Sequence, residues 1–315
     1  MPSADGIERY ITLFDRSFLP LGLALYRSLR AQAGKFHLWI ICMDEEVERV
    51  FRELALPEVR LLPLSELEDD RLRAVKPGRS KGEYCWTLTP FAPSAVWDRD
   101  PQAERVTYLD ADLYFFDRPQ ILLDEFDASG KHVLITEHAY APEYDVTATS
   151  GRFCVQFMTF RRTAPGIEVL RSWQEQCLDW CFARYEPDRF GDQKYLDAWP
   201  KKFTDSVHIA AQKEKILAPW NASWFAATGP LAPVFYHFQG FRLVGETTVV
   251  CSVGYKLSAP VRHLYQAYVA EVRAVVSDLA KRGVTVARVP RPPGFMQVLR
   301  DLRDRLSGNA YWSTL

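Results

Sequence analysis

The sequence predicts an α/β protein whose central sheet is mixed but mostly parallel and is flanked by helices. In the first 62 residues, apolar strand-like segments alternate with helical segments, and this alternation is typical of parallel βαβ units. A later apolar strand, Val106 to Leu109, runs straight into two aspartates. The chain has 315 residues, of which 48% are apolar, enough for one large α/β domain with a sizeable core.

The first three strands and two helices are predicted from apolar patterning. The strands are short apolar runs, and the first helix has apolar side chains at helical spacing, with Pro20 near its start, where proline is tolerated. The segments are strands at Tyr10 to Phe14, Phe36 to Met43 and Val59 to Leu62, with helices at Leu19 to Leu29 and Glu45 to Leu54 between them.

The rest of the chain is less regular, because prolines divide much of its second half into loops. An aromatic-rich helical segment, Tyr84 to Trp97, is interrupted by Pro90 and Pro93 and precedes the strand that ends in aspartates. The remaining predicted elements are strands at Lys131 to Glu137 and Phe153 to Phe160, and helices at Gly166 to Tyr185, Val261 to Arg282 and Met296 to Leu306.

Composition argues against several classes of function. Lys and Arg (39) nearly balance Asp and Glu (40), so there is no electrostatic case for nucleic-acid binding. No signal peptide and no apolar stretch of membrane-spanning length are found, so no transmembrane segment is expected and the cytoplasm is the default location. The six cysteines contain no Cys-x-x-Cys pair, so a zinc cluster is not expected. Cys177 and Cys181 are interpreted as ordinary reduced helix residues.

Asp110 and Asp112 are the most informative pair in the chain. In extended backbone, residues i and i+2 share a face, so both carboxylates can aim at one point beyond the strand that ends at Leu109. Two such carboxylates repel each other unless a cation lies between them, and hard oxygen ligands suit magnesium or manganese. A cation held this way can also bind a diphosphate, which predicts a metal-dependent enzyme that uses an activated donor. The alternative is a pair of solvated turn carboxylates.

His237 is a candidate third metal ligand. It lies in the aromatic segment Phe235 to Phe241, and a nitrogen ligand would favour manganese over magnesium. Gly240 allows close backbone approach to a ligand, and Arg242 can fork onto phosphate oxygens. The alternative is that His237 is a core residue with satisfied hydrogen bonds.

Two loops carry polar side chains that suit a bound ligand. Arg79 and Lys81 precede a predicted helix and could meet ribose or phosphates; the alternative is a solvated loop. Asp192 and Gln193 could face acceptor hydroxyls or a cationic sugar centre, and helix capping by Asp192 is the alternative.

A third loop combines aromatic and amide side chains. Trp220 and Asn221 offer a ring face and an amide that suit a sugar. A rigid core loop is an equally good interpretation of the same residues.

Together these motifs resemble the GT-A fold glycosyltransferases, and their layout is most similar to glycosyltransferase family 8 and its bacterial relatives. The resemblance covers about residues 8 to 245. The matching segments, in chain order, are Ile11 to Phe18 (first strand and nucleotide-binding turn), Arg79 to Tyr84, Asp110-Ala111-Asp112 (the Asp-x-Asp motif), Gly151 to Arg161, Gly191-Asp192-Gln193 and His237-Phe238-Gln239-Gly240.

The resemblance implies a GT-A catalytic domain at residues 1–255 and a helical extension at residues 256–315. The domain would comprise a nucleotide-binding half at about 1–115 and a donor and acceptor half at about 116–255. The implied reaction moves a hexose-type sugar from a nucleotide-diphosphate donor, most commonly a UDP-sugar, to a hydroxyl of a glycan, a lipid-linked acceptor or another acceptor. The implied cofactor is Mn²⁺ or Mg²⁺.

The motifs and the resemblance also give each candidate residue an expected role. The metal ligands are Asp110, Asp112 and His237, and the catalytic group comprises Asp192, Gln193 and Gln156. The residues expected to bind the nucleotide sugar and its metal are Phe14, Asp15, Ser17, Arg79, Lys81, Tyr84, Asp110, Ala111, Gly240 and Arg242. Trp220 and Asn221 are expected at the sugar or acceptor.

Two positions depart from the family pattern. Where the pattern has lysine three residues after the motif glycine, this chain has Leu243, with Arg242 one residue earlier. The Gly-Phe of the middle motif is replaced by Gln156-Phe157, which alters the expected pocket for the donor sugar. A retaining stereochemical outcome is implied only for a true relative of family 8.

Two other functions would use many of the same features. A sugar-phosphate nucleotidyltransferase also needs an α/β core and a metal, but it normally has a glycine-rich loop directly after the first strand, and Phe14 to Ser17 contains no glycine. A non-catalytic sugar-nucleotide-binding protein could share the fold, although the intact set of candidate metal ligands argues against it.

The C-terminal segment, residues 291–315, is expected to contact a partner surface. Its charge is only mildly positive, whereas a membrane-surface helix is usually more basic. We expect docking onto the main domain or onto a second copy in a homodimer, with peripheral contact at the inner face of the membrane as the alternative. The apolar stripe of its predicted helix consists of Phe295, Met296, Leu299, Leu302 and Leu306.

Overall fold

The computed structural model describes residues 5–290, 303, 308 and 310–315. Within them the strands are β1 (Glu8–Phe14), β2 (Phe36–Cys42), β3 (Val59–Pro63), β4 (Arg105–Leu109), β5 (Leu113–Phe115), β6 (Val133–Glu137), β7 (Phe153–Arg161), β8 (Val207–Ile209), β9 (Ile216–Leu217), β10 (Phe235–His237), β11 (Arg242–Val244), β12 (Thr248–Val253) and β13 (Ala310–Thr314). The α-helices are α1 (Leu19–Gln32), α2 (Glu45–Leu54), α3 (Leu64–Leu67), α4 (Asp70–Val75), α5 (Lys81–Leu88), α6 (Ala92–Arg99), α7 (Gln120–Ser129), α8 (Thr147–Ser150), α9 (Ala164–Asp179), α10 (Trp199–Lys202), α11 (Ala222–Ala226) and α12 (Ala259–Lys281).

The main sheet has seven strands in the order β3-β2-β1-β4-β7-β6-β8. The pairs β3–β2, β2–β1, β1–β4 and β6–β8 are parallel, whereas β7 is antiparallel to both β4 and β6. The prediction of a mixed, mostly parallel sheet is confirmed. Because β1, β4 and β6 run in the same direction, the residues that follow them lie at one edge of the sheet, where ligands of open α/β sheets usually bind.

Helices cover both faces of this sheet. Neighbouring residues of β1 face opposite sides, because side chains alternate along a strand: Tyr10 packs in the core beneath α1 and α12, and Ile11 packs in the core beneath α5, α6 and α9. Both side chains are at most 1% exposed. Two buried faces account for the nearly continuous apolar run that predicted this strand.

Two small sheets extend the central one. One has the order β5-β10-β9 and the other β11-β12-β13. β13 pairs antiparallel with β12, and the Arg273 guanidinium donates to the Thr314 carbonyl oxygen at 2.7 Å. The last residues thus dock against the main body, as predicted for this segment, whereas the predicted helix Met296 to Leu306 lies outside the described residues, Arg303 excepted. Among the helices of the described residues, none is both long and apolar enough to cross a bilayer.

The helix predicted from Gly166 to Tyr185 is too long. α9 ends at Asp179 because Trp180 adopts extended backbone, with φ −153° and ψ 126°. The Arg79 guanidinium then donates to the carbonyl oxygens of Leu178 (2.7 Å) and Cys181 (2.9 Å). Cys181 therefore lies beyond the helix, and its interpretation as a helix residue is wrong.

A buried ion-pair network joins the strands at the edge opposite the candidate site. The Arg105 side chain, 1% exposed, contacts Glu8 at 2.5 Å and Asp127 at 2.6 Å. Arg161 also pairs with Asp127. The network links β1, β4 and β7 to α7. Within it, each charged group is stabilised by its oppositely charged partners in place of water.

We expect Arg105→Met to lower the free energy of unfolding by about 3 kcal/mol, because it leaves the buried Glu8 carboxylate without its Arg105 partner. Urea denaturation measures the change. The matched control is Arg52→Met, since the Arg52 side chain is 64% exposed and, among the described residues, forms its ion pair with Glu48 alone, and it should leave stability nearly unchanged. Equal stability of Arg105→Met and the wild type would contradict a structural role for the network.

Candidate metal centre

Asp110, Asp112 and His237 converge at the edge of the main sheet. Asp110 follows β4, and Leu113 of β5 pairs with His237 of β10, which brings Asp112 beside the histidine. The His237 Nε2 atom lies 3.1 Å from Asp112 Oδ1 and 3.7 Å from Asp110 Oδ2. One ligand atom from each residue falls within 4.8 Å of the others. The predicted triad is therefore assembled in the structure.

The electrostatics of this triad favour a cation. Burial, together with Asp112, raises the pKa of Asp110 to about 7, although His237 opposes the shift. Burial also opposes ionisation of Asp112, but His237 and then Arg242 outweigh it, and the pKa of Asp112 is lowered. Burial opposes a charged His237, yet the two carboxylates raise its pKa well above its usual range.

The donor atoms fit a divalent ion. Two carboxylates and one imidazole nitrogen form a set with hard oxygen ligands and one nitrogen, which suits manganese or magnesium. The interpretation of Asp110 and Asp112 as solvated turn residues does not fit side chains that are 28% and 11% exposed. The alternative of a core residue with satisfied hydrogen bonds agrees with the 6% exposure of His237 and its contact with Gln156, but the two carboxylates beside Nε2 favour the interpretation as a metal ligand.

Two further side chains contact the triad. Gln156, predicted to be catalytic, is 1% exposed, and its Oε1 lies 2.9 Å from His237 Nδ1. The Tyr108 hydroxyl donates to Asp110 Oδ1 at 3.0 Å. Gln156 thus lies behind the histidine, on the side away from the carboxylates.

Cys154 and His138 lie next to the triad but were not predicted as site residues. Burial would raise the pKa of the Cys154 thiol, but His138 and His237 outweigh it and lower the pKa to about 6. The signal that could have found Cys154 is its spacing from Gln156, since residues i and i+2 of a strand share a face. His138 directly follows β6, at the same edge of the sheet as Asp110.

The turn after β1 presents polar groups at this edge too. Asp15 accepts hydrogen bonds from the Ser17 amide (2.8 Å) and hydroxyl, and it pairs with Lys81. Burial opposes ionisation of Asp15, but Lys81 and Ser17 prevail and lower its pKa. The Phe14 ring, in contrast, is buried against Phe51, so it supports the turn from below.

Arg79 and Tyr84 are engaged in structural contacts. Besides the two carbonyl groups at the end of α9, Arg79 donates to Thr87 Oγ1 at 2.9 Å. Tyr84 is 3% exposed, and its hydroxyl donates to Glu68 at 2.7 Å. These contacts fit neither the ligand-binding interpretation of Arg79 nor that of a solvated loop. Arg79 and Tyr84 are therefore not included in the proposed binding site.

Asp192 is a buried carboxyl group on a loop that Gly191 makes possible. Gly191 has φ +54°, and a Cβ there would lie 3.4 Å from the Trp86 ring. Asp192 is 4% exposed, and within the described part of the chain no other side chain donates to its carboxyl group. Burial raises its pKa well above the usual range, with Cys181 and Asp110 adding to the shift. The alternative of helix capping is not supported, because the following 3₁₀ turn has no side-chain cap.

Gln193 lies on the same loop and holds a neighbouring one. Its amide nitrogen donates to the Ser150 carbonyl oxygen at 2.7 Å. The contact holds Gln193 at the end of α8. Of the two predicted residues, Asp192 is therefore a buried acid, whereas Gln193 connects two loops.

Gly240 and Arg242 lie on the other side of the triad. Gly240 has φ +83°, with no atom within 4 Å of a Cβ built there, so the turn is left-handed and open. The Arg242 side chain is exposed, stacks over Phe18 at 5.5 Å, and lowers the pKa of Asp112. Ala111 is 6% exposed and packs in the core, so only its backbone is available to a ligand.

Trp220 and Asn221 fit the interpretation of a rigid core loop. The Asn221 amide group donates to the carbonyl oxygens of His138 (3.0 Å) and Ile216 (3.2 Å) and accepts from the Ala218 amide (2.9 Å). We therefore leave Asn221 out of the proposed sugar site. Trp220 is 5% exposed and packs edge-on against His237, with 5.6 Å between ring centroids.

The chain is similar to two proteins of Bacillus subtilis (strain 168). It is 32% identical to the uncharacterized protein YfnF over 254 residues, covering 75% of this chain and 82% of YfnF. It is 27% identical to the uncharacterized protein YfnD over 291 residues, covering 86% of this chain and 90% of YfnD. No protein-family model matches the chain.

Solved glycosyltransferase structures share the architecture. Mouse xyloside xylosyltransferase 1 in its apo form is 15% identical, with a TM-score of 0.50 over 74% of this chain and 98% of that chain. The galactosyltransferase LgtC, in complex with donor and acceptor sugar analogs, is 14% identical, with a TM-score of 0.50 over 84% of this chain and 95% of that chain. At these identities the likeness concerns the fold, and the prediction of a GT-A fold is confirmed.

Proposed function

This chain belongs to the same family as YfnF of Bacillus subtilis and has the GT-A fold, and we propose that it is a metal-dependent glycosyltransferase. It moves a hexose-type sugar from a nucleotide-diphosphate donor, with a UDP-sugar as the first candidate. The acceptor is a hydroxyl group of a glycan, of a lipid-linked molecule or of another acceptor. The observation that carries this proposal is the convergence of Asp110, Asp112 and His237 at the sheet edge where β1 and β4 end.

Asp110, Asp112 and His237 would hold Mn²⁺ or Mg²⁺, which supplies positive charge that stabilises the leaving diphosphate. Arg242 supports the same role, because its exposed guanidinium already acts electrostatically on Asp112 and suits a bidentate contact with phosphate oxygens. Lys81 is the second candidate cation, and its side chain is 62% exposed beside Asp15.

The nucleoside would bind at the turn after β1. Asp15 keeps a lowered pKa and is therefore ionised at neutral pH, so it can accept hydrogen bonds from ribose hydroxyls or from the base. Ser17 and Lys81 hold the carboxylate in place. Since β1 and β4 are adjacent parallel strands, this turn is next to the metal ligands.

Asp192 would hydrogen-bond a hydroxyl of the transferred sugar or of the acceptor. Its carboxyl group is buried, and after burial and Cys181 the charge of Asp110 adds to its raised pKa, which supports a place for Asp192 on the same side of the protein as the candidate metal ligands. A buried carboxyl group that other side chains leave unpaired is costly, and a substrate hydroxyl would supply the missing partner.

Aromatic rings support a saccharide acceptor. Trp220 contacts His237, Tyr140 and Tyr255, with ring centroids 5.6, 6.1 and 6.5 Å apart. Tyr255 in turn meets Tyr144 at 5.0 Å. The rings form a continuous row from His237 to the partly exposed tyrosines. Aromatic rings with a polar group at one end suit a ligand that is apolar on one face and polar at its rim.

A thermal-shift screen tests the donor. With Mn²⁺ present, UDP-, GDP- and TDP-sugars are added in turn, and one nucleotide sugar should raise the melting temperature clearly more than the others, because stabilisation grows with ligand concentration relative to Kd. The Asp112→Asn variant serves as the control and should lose the metal-dependent part of the shift. If no nucleotide sugar stabilised the wild-type chain with Mn²⁺ or Mg²⁺, the proposal would fail.

A further inference from the structure

We propose that Gln156 is a positioning residue that sets the metal affinity of the triad by fixing the tautomer and orientation of His237. The proposal rests on the metal-dependent function above and adds a residue that holds the ligand without touching the ion. It concerns three consecutive contacts behind the histidine, made by Gln156, Thr136 and Cys154.

The hydrogen bonds determine which atom of Gln156 faces the histidine. The Thr136 hydroxyl donates to the Cys154 carbonyl oxygen at 3.3 Å, so the Thr136 oxygen is left to accept. The amide nitrogen of Gln156, 3.4 Å away, is the donor to it. The carbonyl oxygen of the same amide must then face His237.

This orientation determines the tautomer of His237. Gln156 Oε1 can only accept, and it lies 2.9 Å from His237 Nδ1, so Nδ1 carries the proton. With a proton held on Nδ1, Nε2 is the ring atom left to bind a metal once the metal displaces the Nε2 proton, and Nε2 is the atom that faces Asp112 and Asp110. Metal-binding histidines generally need such a partner on the other ring nitrogen.

Gln156 also holds a second ligand through its backbone. The Asp110 amide donates to the Gln156 carbonyl oxygen at 3.0 Å, next to the pair formed by Leu109 and Phe157 where β4 meets β7. One residue of β7 therefore holds the ligands contributed by the end of β4 and by β10. Its side chain sets the angle of the histidine, and its main chain sets the start of the aspartate loop.

The surroundings of Gln156 make a purely structural role unconvincing. Its neighbours in β7 are Val155 and Phe157, and the Gln156 side chain is 1% exposed. A buried amide is costly unless its hydrogen bonds are satisfied, and an apolar side chain would pack in such a strand without that requirement.

The test measures Mn²⁺ affinity of the full chain without any donor, by the electron paramagnetic resonance signal of free Mn²⁺. Gln156→Leu keeps much of the side-chain volume but removes the acceptor, and we expect its Kd for Mn²⁺ to be 10- to 100-fold higher than that of the wild type. Gln156→Glu restores an acceptor for Nδ1–H and should bind Mn²⁺ at least as tightly as the wild type.

Gln174→Leu is the matched control. Gln174 is another buried glutamine, 9% exposed, and its amide donates to Pro90 and Ser94 in the packing of α9. This variant should lose stability in thermal unfolding but keep the wild-type Kd for Mn²⁺. A loss of affinity in Gln174→Leu equal to that in Gln156→Leu would overturn the proposal, because it would mark a general effect of core damage.

Thr136→Val is the second variant and guards against misfolding of Gln156→Leu. It keeps the shape of the side chain and removes the hydroxyl that orients the amide, so we expect a several-fold weaker Kd for Mn²⁺. If either variant folded and kept the wild-type Kd for Mn²⁺, the role of Gln156 would be overturned, but the metal-dependent function would not. Absence of Mn²⁺ and Mg²⁺ binding by the wild-type chain would instead overturn the metal-dependent function, and the role of Gln156 with it.

Discussion

Replacing Asp112 by asparagine should lower kcat/KM for nucleotide-sugar turnover by about a thousandfold, equivalent to about 4 kcal/mol of transition-state stabilisation. Of the two candidate carboxylate ligands, Asp112 is the closer to His237 Nε2, at 3.1 Å, and its side chain is 11% exposed. Asparagine keeps the shape but removes the negative charge that would hold a divalent ion. The measurement is the initial rate of nucleoside diphosphate release at saturating Mn²⁺.

The matched control for Asp112→Asn is Asp124→Asn. Asp124 is exposed on α7 and accepts a hydrogen bond from the Gln120 side chain, so the control should keep the wild-type rate. Circular dichroism of both variants separates a chemical effect from unfolding. A rate within tenfold of the wild type in Asp112→Asn would contradict its role as a metal ligand.

Asp192→Asn should lower kcat about a hundredfold and at the same time make the protein more stable. The loss of activity follows from removal of a carboxyl group that would hydrogen-bond the sugar or acceptor in the transition state. The gain of about 1 to 2 kcal/mol at pH 8 follows because a neutral amide replaces a buried group that is costly to ionise. Kinetics and urea denaturation measure the two effects.

The stability gain of Asp192→Asn should depend on pH with a definite sign. Burial raises the pKa of Asp192 in the folded state, so in the wild type the penalty is absent below the unfolded value of about 4 and grows as the pH rises above it. The variant lacks this penalty, and its advantage in unfolding free energy should be larger at pH 8 than at pH 5. Its Kd for Mn²⁺ should remain that of the wild type.

Asp179→Asn is the control for the second prediction. The Asp179 side chain is 72% exposed at the end of α9, so the substitution should change neither kcat nor the pH dependence of stability. Loss of stability at pH 8 in Asp192→Asn would contradict the assignment of Asp192 as a buried acid whose ionisation is costly.

The elements that the sequence predicts well are those with local signals. α2 spans Glu45–Leu54 as predicted, because the Asp44 side chain caps it at the Val47 amide and its apolar residues follow the helical period. α9 was predicted too long because its end depends on Arg79, a residue about one hundred positions away in the chain. Such a contact leaves no trace in the pattern of the helix itself.

The metal triad was predictable for a similar reason. Asp110 and Asp112 directly follow a strand, and His237 lies in a recognisable motif. The residues around the triad could not be predicted, because their positions depend on where β7 enters the sheet. Gln156 and Cys154 meet His237 only because β7 pairs antiparallel with β4. Asn221 is a different case. Its residue type suggested a sugar contact, but the sequence does not reveal that backbone groups already form the hydrogen bonds of its amide.

The most direct test of the account is the release of nucleoside diphosphate from the nucleotide sugar that the thermal-shift screen selects. A metal-dependent glycosyltransferase should release the diphosphate only with Mn²⁺ or Mg²⁺, stop in excess EDTA, resume when the metal is restored, and lose this activity in Asp112→Asn. An undiminished rate in excess EDTA would contradict it. Release of pyrophosphate from a nucleoside triphosphate and a sugar phosphate, with no turnover of any nucleotide sugar, would contradict it equally and indicate a nucleotidyltransferase.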